Sequence, residues 1–168
     1  VSSYEREKMA RAPYDEDGYK HKLGLDALSG EKGYSTPERT GIRPTFDICG
    51  IWGGYTGEGA KTVLPSKAYA KISTRLVPNQ DYLEIAQIVK EHFEKIAPPS
   101  VKVSVQYLHG GNAYVCPVEM PAYKAAERAY TKVFGKEPVP VRSGGSIPII
   151  STFEEILGQK SVLMGFGL

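Results

Sequence analysis

The chain has 168 residues, with 21 Lys and Arg against 19 Asp and Glu, so its formal net charge is +2. Basic residues are dispersed among acids, as in Glu5-Arg6-Glu7-Lys8, which is unlike the clustered basic excess of a nucleic-acid binder. Hydrophobic content of 41% with 24% charged residues is globular, and no apolar run approaches the roughly 20 residues that span a bilayer.

The length suffices for a real hydrophobic core. No charged-then-apolar leader opens the chain, and Cys49 and Cys116 lie far apart outside any ligand-spaced pair. They read as buried thiols of a reducing compartment, which gives a cytoplasmic expectation. The start at Val1 without a methionine, and the apolar end Val162-Leu163-Met164-Gly165-Phe166-Gly167-Leu168, read as a piece of a longer protein.

Residues 1–44 form a polar, turn-rich head. Ser2-Ser3-Tyr4-Glu5 matches a capping box that opens a short helix stopped by Pro13, and a second helix fits 15–23. Residues 30–44 read as loop. A strand is expected over 46–52, followed by a glycine cluster at 50, 53, 54, 57 and 59. Residues 68–77 alternate cleanly, with Ala68, Ala70, Ile72, Thr74 and Leu76 on one face and Tyr69, Lys71, Ser73, Arg75 and Val77 on the other.

Pro78-Asn79 breaks that strand, and Asp81 can cap a helix over 82–96 in which Ile85, Ile88, Val89 and Ile96 recur at helical spacing. Alternation over 101–107 gives a further half-buried strand. This strand–helix–strand unit with a polar sheet face fits an α+β, ferredoxin-like domain over 45–113. Beyond Gly110-Gly111 a helix over 119–134 ends at Gly135. A short strand over 139–142, a helix over 147–157 and an apolar strand over 162–166 then belong to a separate α/β segment, 117–168.

Four features could carry chemistry. Residues 54–62 (Gly-Tyr-Thr-Gly-Glu-Gly-Ala-Lys-Thr) fail as a phosphate loop because Ala60 replaces the required glycine and Pro65 with a strand follows. The stretch reads as a glycine-rich turn between antiparallel strands, with Lys61 and Thr62 near its end. Arg75 stands on the polar strand face, where a guanidinium fork can hold a carboxylate bidentately. Ser143-Gly144-Gly145-Ser146 precedes a helix, so Ser146 is a candidate cap and Gly145 and Ser146 a candidate anion-holding turn. Of three scattered histidines, His109 beside Gly110-Gly111 is the site candidate. No metal-ligand spacing and no Ser–His–Asp or Cys–His arrangement is present, so the chain shows ligand-holding features without a catalytic engine.

The run Gly50-Ile51-Trp52-Gly53-Gly54, continuing through Gly57-Glu58-Gly59-Ala60-Lys61-Thr62-Val63-Leu64-Pro65 and Ser73-Thr74-Arg75-Leu76-Val77-Pro78-Asn79, resembles the M20 family of metallopeptidases, and within it the carnosinase-like dipeptidases. Leu108-His109-Gly110-Gly111 and Arg142-Ser143-Gly144-Gly145-Ser146-Ile147-Pro148 extend the resemblance over 45–168. It implies hydrolases with two divalent metal ions, usually zinc and sometimes manganese or cobalt, and a ferredoxin-like lid that forms a homodimer. The family's lid arginine, which grips the substrate carboxylate, falls on Arg75. Its lid threonine, which reaches the partner subunit's site, falls on Thr62, and its substrate-contacting serine falls on Ser146. The role of His109 is unassigned. The metal ligands and general base have no counterparts in this chain, so the chain alone is expected to bind no metal and to be inactive. The substrate implied is a peptide or N-acyl amino acid with a free carboxylate. An N-acyl amino acid deacylase on the same scaffold and a non-catalytic ferredoxin-like binding module are the alternatives.

Overall fold

The computed structural model describes residues 3–143 and 147–165. In the head, α1 (Ser3–Ala10) ends short of Pro13. The second helix, α2 (Glu16–Leu23), begins where the Asp15 carboxylate accepts from the Gly18 N–H at 2.9 Å, and it stops at Gly24 in the left-handed region, φ 66°.

The stretch 30–44, expected as loop, contains a helix, α3 (Thr36–Ile42). Its start is a capping box: the Glu38 carboxylate accepts from the Ser35 N–H at 2.6 Å, and the Ser35 hydroxyl accepts from the Glu38 N–H at 3.4 Å. Arg6 pairs with Glu38 at 3.0 Å and ties α1 to α3. The Tyr34 ring takes the Arg6 and Arg43 guanidinium groups at 5.4 and 4.5 Å, and Arg43 grips Glu31 through two 2.7 Å bonds. Glu38 is therefore buried but paired, and the Ser35 N–H, against the opposing effect of burial, holds its carboxyl below the usual range.

The expected strands of the glycine-joined hairpin are β1 (Thr45–Gly53) and β2 (Ala68–Arg75), antiparallel from Thr45↔Arg75 to Gly53↔Ala68. A bulge between Ile48 and Gly50 leaves Cys49 out of the ladder, and its thiol is exposed. The expectation of two buried thiols is thus corrected, since Cys116 is itself only half-buried. Trp52 and Tyr69, paired across the strands, stack at 5.2 Å and 11°.

The helix after the hairpin, α4 (Tyr82–Ile96), has the expected bounds, and the Asp81 carboxylate accepts from the Leu83 and Glu84 N–H groups at 2.9 and 3.0 Å. Phe93 stacks on Phe46 at 6.2 Å, which sets α4 against the hairpin. Two more helices follow, α5 (Pro121–Phe134) and α6 (Pro148–Leu157), each closed by a left-handed glycine, Gly135 and Gly158. Among the described residues the sheet has two strands. Residues 101–107, 139–142 and 162–165 enter no ladder, and Phe166 of the last expected strand lies outside the described residues. Alternation records which face of a segment is apolar; a ladder also needs a neighbour whose N–H and C=O groups lie alongside. Hydroxyls hold the last segment instead. Tyr114 donates to the Ser161 carbonyl at 2.7 Å and accepts from its N–H at 2.9 Å, and Tyr130 donates to the Gly165 carbonyl at 2.9 Å.

The architecture is α+β, as expected, but the described residues do not form the expected core. No hydrophobic residue is buried among those described, and the chain presents 13378 Å² to solvent. A self-contained protein of this mass presents about 8,200 Å². The apolar faces are open for other surfaces.

Candidate functional site

Two of the candidate residues lie on the hairpin. Arg75 closes the ladder opposite Thr45, at the end next to the Pro78-Asn79 turn, where Asn79 takes φ 67° and the Val77 N–H donates to the Gln80 side chain at 3.0 Å. Its side chain is exposed on the polar face of β2. Thr62 lies in the loop at the opposite end. The Lys61 ammonium sits 5.6 Å over the Tyr55 ring, and Pro65 lies beside Gly54, so these contacts join the two arms of the loop. The eight residues of β2 span about 23 Å at roughly 3.3 Å per residue. A dipeptide spans about 7 Å. Strand geometry thus sets Arg75 and the start of β2, beside the loop that carries Thr62, at opposite ends of the hairpin.

His109 is exposed, just before a close crossing. A Cβ on Gly110 would lie 2.9 Å from the Tyr82 ring, and one on Gly111 would lie 2.9 Å from Pro148 Cβ. The chain threads here between the starts of α4 and α6, and only glycine leaves room. Partial desolvation, with Tyr82 beside it, pushes the Tyr107 phenol up from its usual range. Gly145 and Ser146 lie outside the described residues. The cap of α6 is Ile147 and not Ser146: it has φ −108° and ψ 96° and makes no side-chain cap bond. The reason is Pro148, whose ring forces the preceding residue into extended backbone.

Two supports of this region were missed in the sequence. A Cβ on Gly41 of α3 would lie 2.6 Å from the Arg142 carbonyl oxygen, so α3 backs the segment leading into the glycine loop. The Ser35-Thr36-Pro37-Glu38 capping box was the available signal. Asn112 is the other: it accepts from the Tyr82 N–H at 3.2 Å and donates to Glu155 at 3.3 Å. No local pattern marks it. Among the described residues no three His, Cys, Asp or Glu side chains cluster to hold a metal ion. No helix among them is long and apolar enough to cross a membrane.

The peptidase dimerisation domain of the M20 family matches residues 9–101, more than half of the chain. The chain belongs to the M20 family. It is 35% identical over 161 residues to the Cys-Gly metallodipeptidase dug1 of Schizosaccharomyces pombe, covering 92% of this chain and 33% of that protein. Among solved structures it is similar to the M20 family metallo-carboxypeptidase Sso-CP2 from Sulfolobus solfataricus, with TM-score 0.78 and 30% identity over 94% of this chain and 36% of that one. Human carnosine dipeptidase 1 is matched with TM-score 0.77 and 27% identity over 95% of this chain and 35% of that one. The likeness is to carnosinase-type dipeptidases within the M20 family, and this M20 chain spans a third or less of the length of the curated relatives it matches.

Proposed function

We propose that this chain is the substrate-gripping and dimer-forming part of an M20 dipeptidase. Residues 45–113 form the ferredoxin-like lid, 1–44 its polar helical head, and 117–168 part of the α/β hydrolytic domain. Arg75 takes the terminal carboxylate of the substrate in a bidentate fork and so fixes the peptide carbonyl for attack, converting binding into orientation. Gly145 and Ser146, with His109 near the crossing, hold the substrate from the side of the hydrolytic domain. Thr62 serves the site of the partner subunit in a homodimer.

The observation that carries this reading is the separation of Thr62 and Arg75 at opposite ends of one hairpin. One small substrate cannot span it, whereas a two-fold dimer brings the tip of one hairpin to the site of its partner. Two divalent metal ions, zinc with manganese or cobalt as the other candidates, belong to the complete protein, cytoplasmic in this reading. In this reading the chain alone hydrolyses nothing, because the family's metal ligands and general base have no counterparts in it.

The test is an assay of the complete protein, loaded with zinc, manganese or cobalt, on free dipeptides, amidated dipeptides and N-acyl amino acids. Free dipeptides should be hydrolysed and their amides spared, because the amide removes the charge that Arg75 grips. Preference for N-acyl amino acids would make the protein a deacylase, and indifference to amidation would remove Arg75 from its role.

A further inference from the structure

We infer that Asn112 is a positioning residue: its side-chain amide joins the start of α4 to α6 and so fixes α6, which follows Ile147, relative to the turn after Arg75. The Tyr82 N–H is one of the first-turn donors of α4 that have no partner within the helix, and Asn112 Oδ1 accepts it at 3.2 Å. The other end of the same amide, Nδ2, donates to Glu155 Oε1 of α6 at 3.3 Å. The glycines before it set the distance. Gly110 passes against the Tyr82 ring and Gly111 against Pro148, so neither helix start can move without meeting the crossing chain.

Each end of this joint leads to a candidate substrate contact. From Tyr82 the chain runs back through Asp81 and the Gln80-braced turn to Arg75, six residues away from Asp81 in sequence. From Pro148 it runs back through Ile147 directly to Ser146. A planar amide with one acceptor and two donors suits this place, because one partner is an N–H and the other a carboxylate. Asn112 touches no substrate in this account; it acts through the two helices.

The kinetic part of the test rests on the dipeptidase reading, and the exchange part does not. The complete protein is compared as wild type, N112D, E155Q and N112D/E155Q, by dipeptide kinetics and by hydrogen–deuterium exchange of peptides covering 80–85 and 147–157. N112D keeps an acceptor for the Tyr82 N–H but sets two carboxylates against each other. KM should rise about tenfold with kcat nearly unchanged, as for lost ground-state placement, and exchange over 147–157 should quicken. E155Q alone should behave as wild type, since the new side chain still offers an oxygen to Asn112. The double variant should recover both readouts, because the introduced carboxylate accepts from the introduced amide. An N112D protein with unchanged KM and exchange, or a double variant no better than N112D, overturns the joint. A wild type that hydrolyses no dipeptide overturns the dipeptidase reading alone, and the exchange result then decides the joint.

Discussion

Thr62 and Arg75 occupy opposite ends of a single antiparallel hairpin, Arg75 in the Thr45↔Arg75 pair that ends the ladder and Thr62 in the loop beyond the Gly53↔Ala68 pair. The separation follows from strand geometry, since every residue of β2 adds roughly 3.3 Å. Both residues belong to a polar or glycine-rich context that costs little to expose. In the proposed reading, what they do together is decided by assembly and not by the chain on its own.

Replacing Arg75 tests the carboxylate grip. In the complete protein Arg75→Ala should raise KM and lower kcat/KM by a factor on the order of 10², as for loss of a desolvated charge-assisted pair. Arg75→Lys should recover only part of it, because an ammonium lacks the planar fork. Steady-state kinetics on one free dipeptide checks both, and an unchanged kcat/KM in Arg75→Ala would remove the grip.

The head carries a pH dependence through Glu38. Its folded carboxyl is held below the ordinary range by the Ser35 N–H, with the Ser35 hydroxyl and Arg6 adding to the effect. A depressed acid stabilises the fold fully above its unfolded value, roughly pH 4.3, and loses that contribution as pH falls through the folded value. Thermal unfolding of the wild type should weaken over that acid range more steeply than that of Glu38→Gln. Parallel curves for the two proteins would contradict the assignment.

The crossing between α4 and α6 leaves no room for a side chain. Gly111→Ala places a methyl 2.9 Å from Pro148 Cβ and 3.4 Å from its Cα. The atoms it meets belong to a ring and a backbone, which cannot swing aside. Denaturant unfolding should show a loss of about 1–3 kcal/mol, the usual cost of overpacking. A loss below about 0.5 kcal/mol, the range of ordinary surface changes, would mean that the crossing is looser than described.

Local signals were legible in the sequence wherever one side chain decides the structure. Asp81 and the apolar spacing of Ile85, Ile88 and Val89 are enough to place α4 at its observed bounds. The alternation of 68–77 likewise places β2 and puts Arg75 on its polar face. The polar head was harder. The α3 helix has no apolar stripe, and Pro37 and Gly41 resemble loop residues, so only the Ser35–Glu38 box betrays it. The apolar alternation of 101–107 marks a face but cannot say whether a neighbouring strand exists to complete a ladder. Arg75 and Thr62 were found because their residue types stand out on a strand and in a glycine loop. Asn112 was not, since its role depends on two helices 30 and 43 residues away in the chain. Nor did composition reveal the missing core: 41% hydrophobic residues state how much apolar surface there is, not what covers it.

Subunit mixing tests the dimer most directly. Arg75→Ala and Thr62→Ala proteins are each prepared as complete homodimers, both impaired, then dissociated together and reassembled. If Thr62 of one chain serves the Arg75 site of the other, each mixed dimer regains one intact site. Random pairing of a two-fold dimer in a 1:1 mixture then restores about one quarter of the wild-type sites. Activity that never exceeds the sum of the two impaired proteins would contradict the account, placing both residues in a site within one chain.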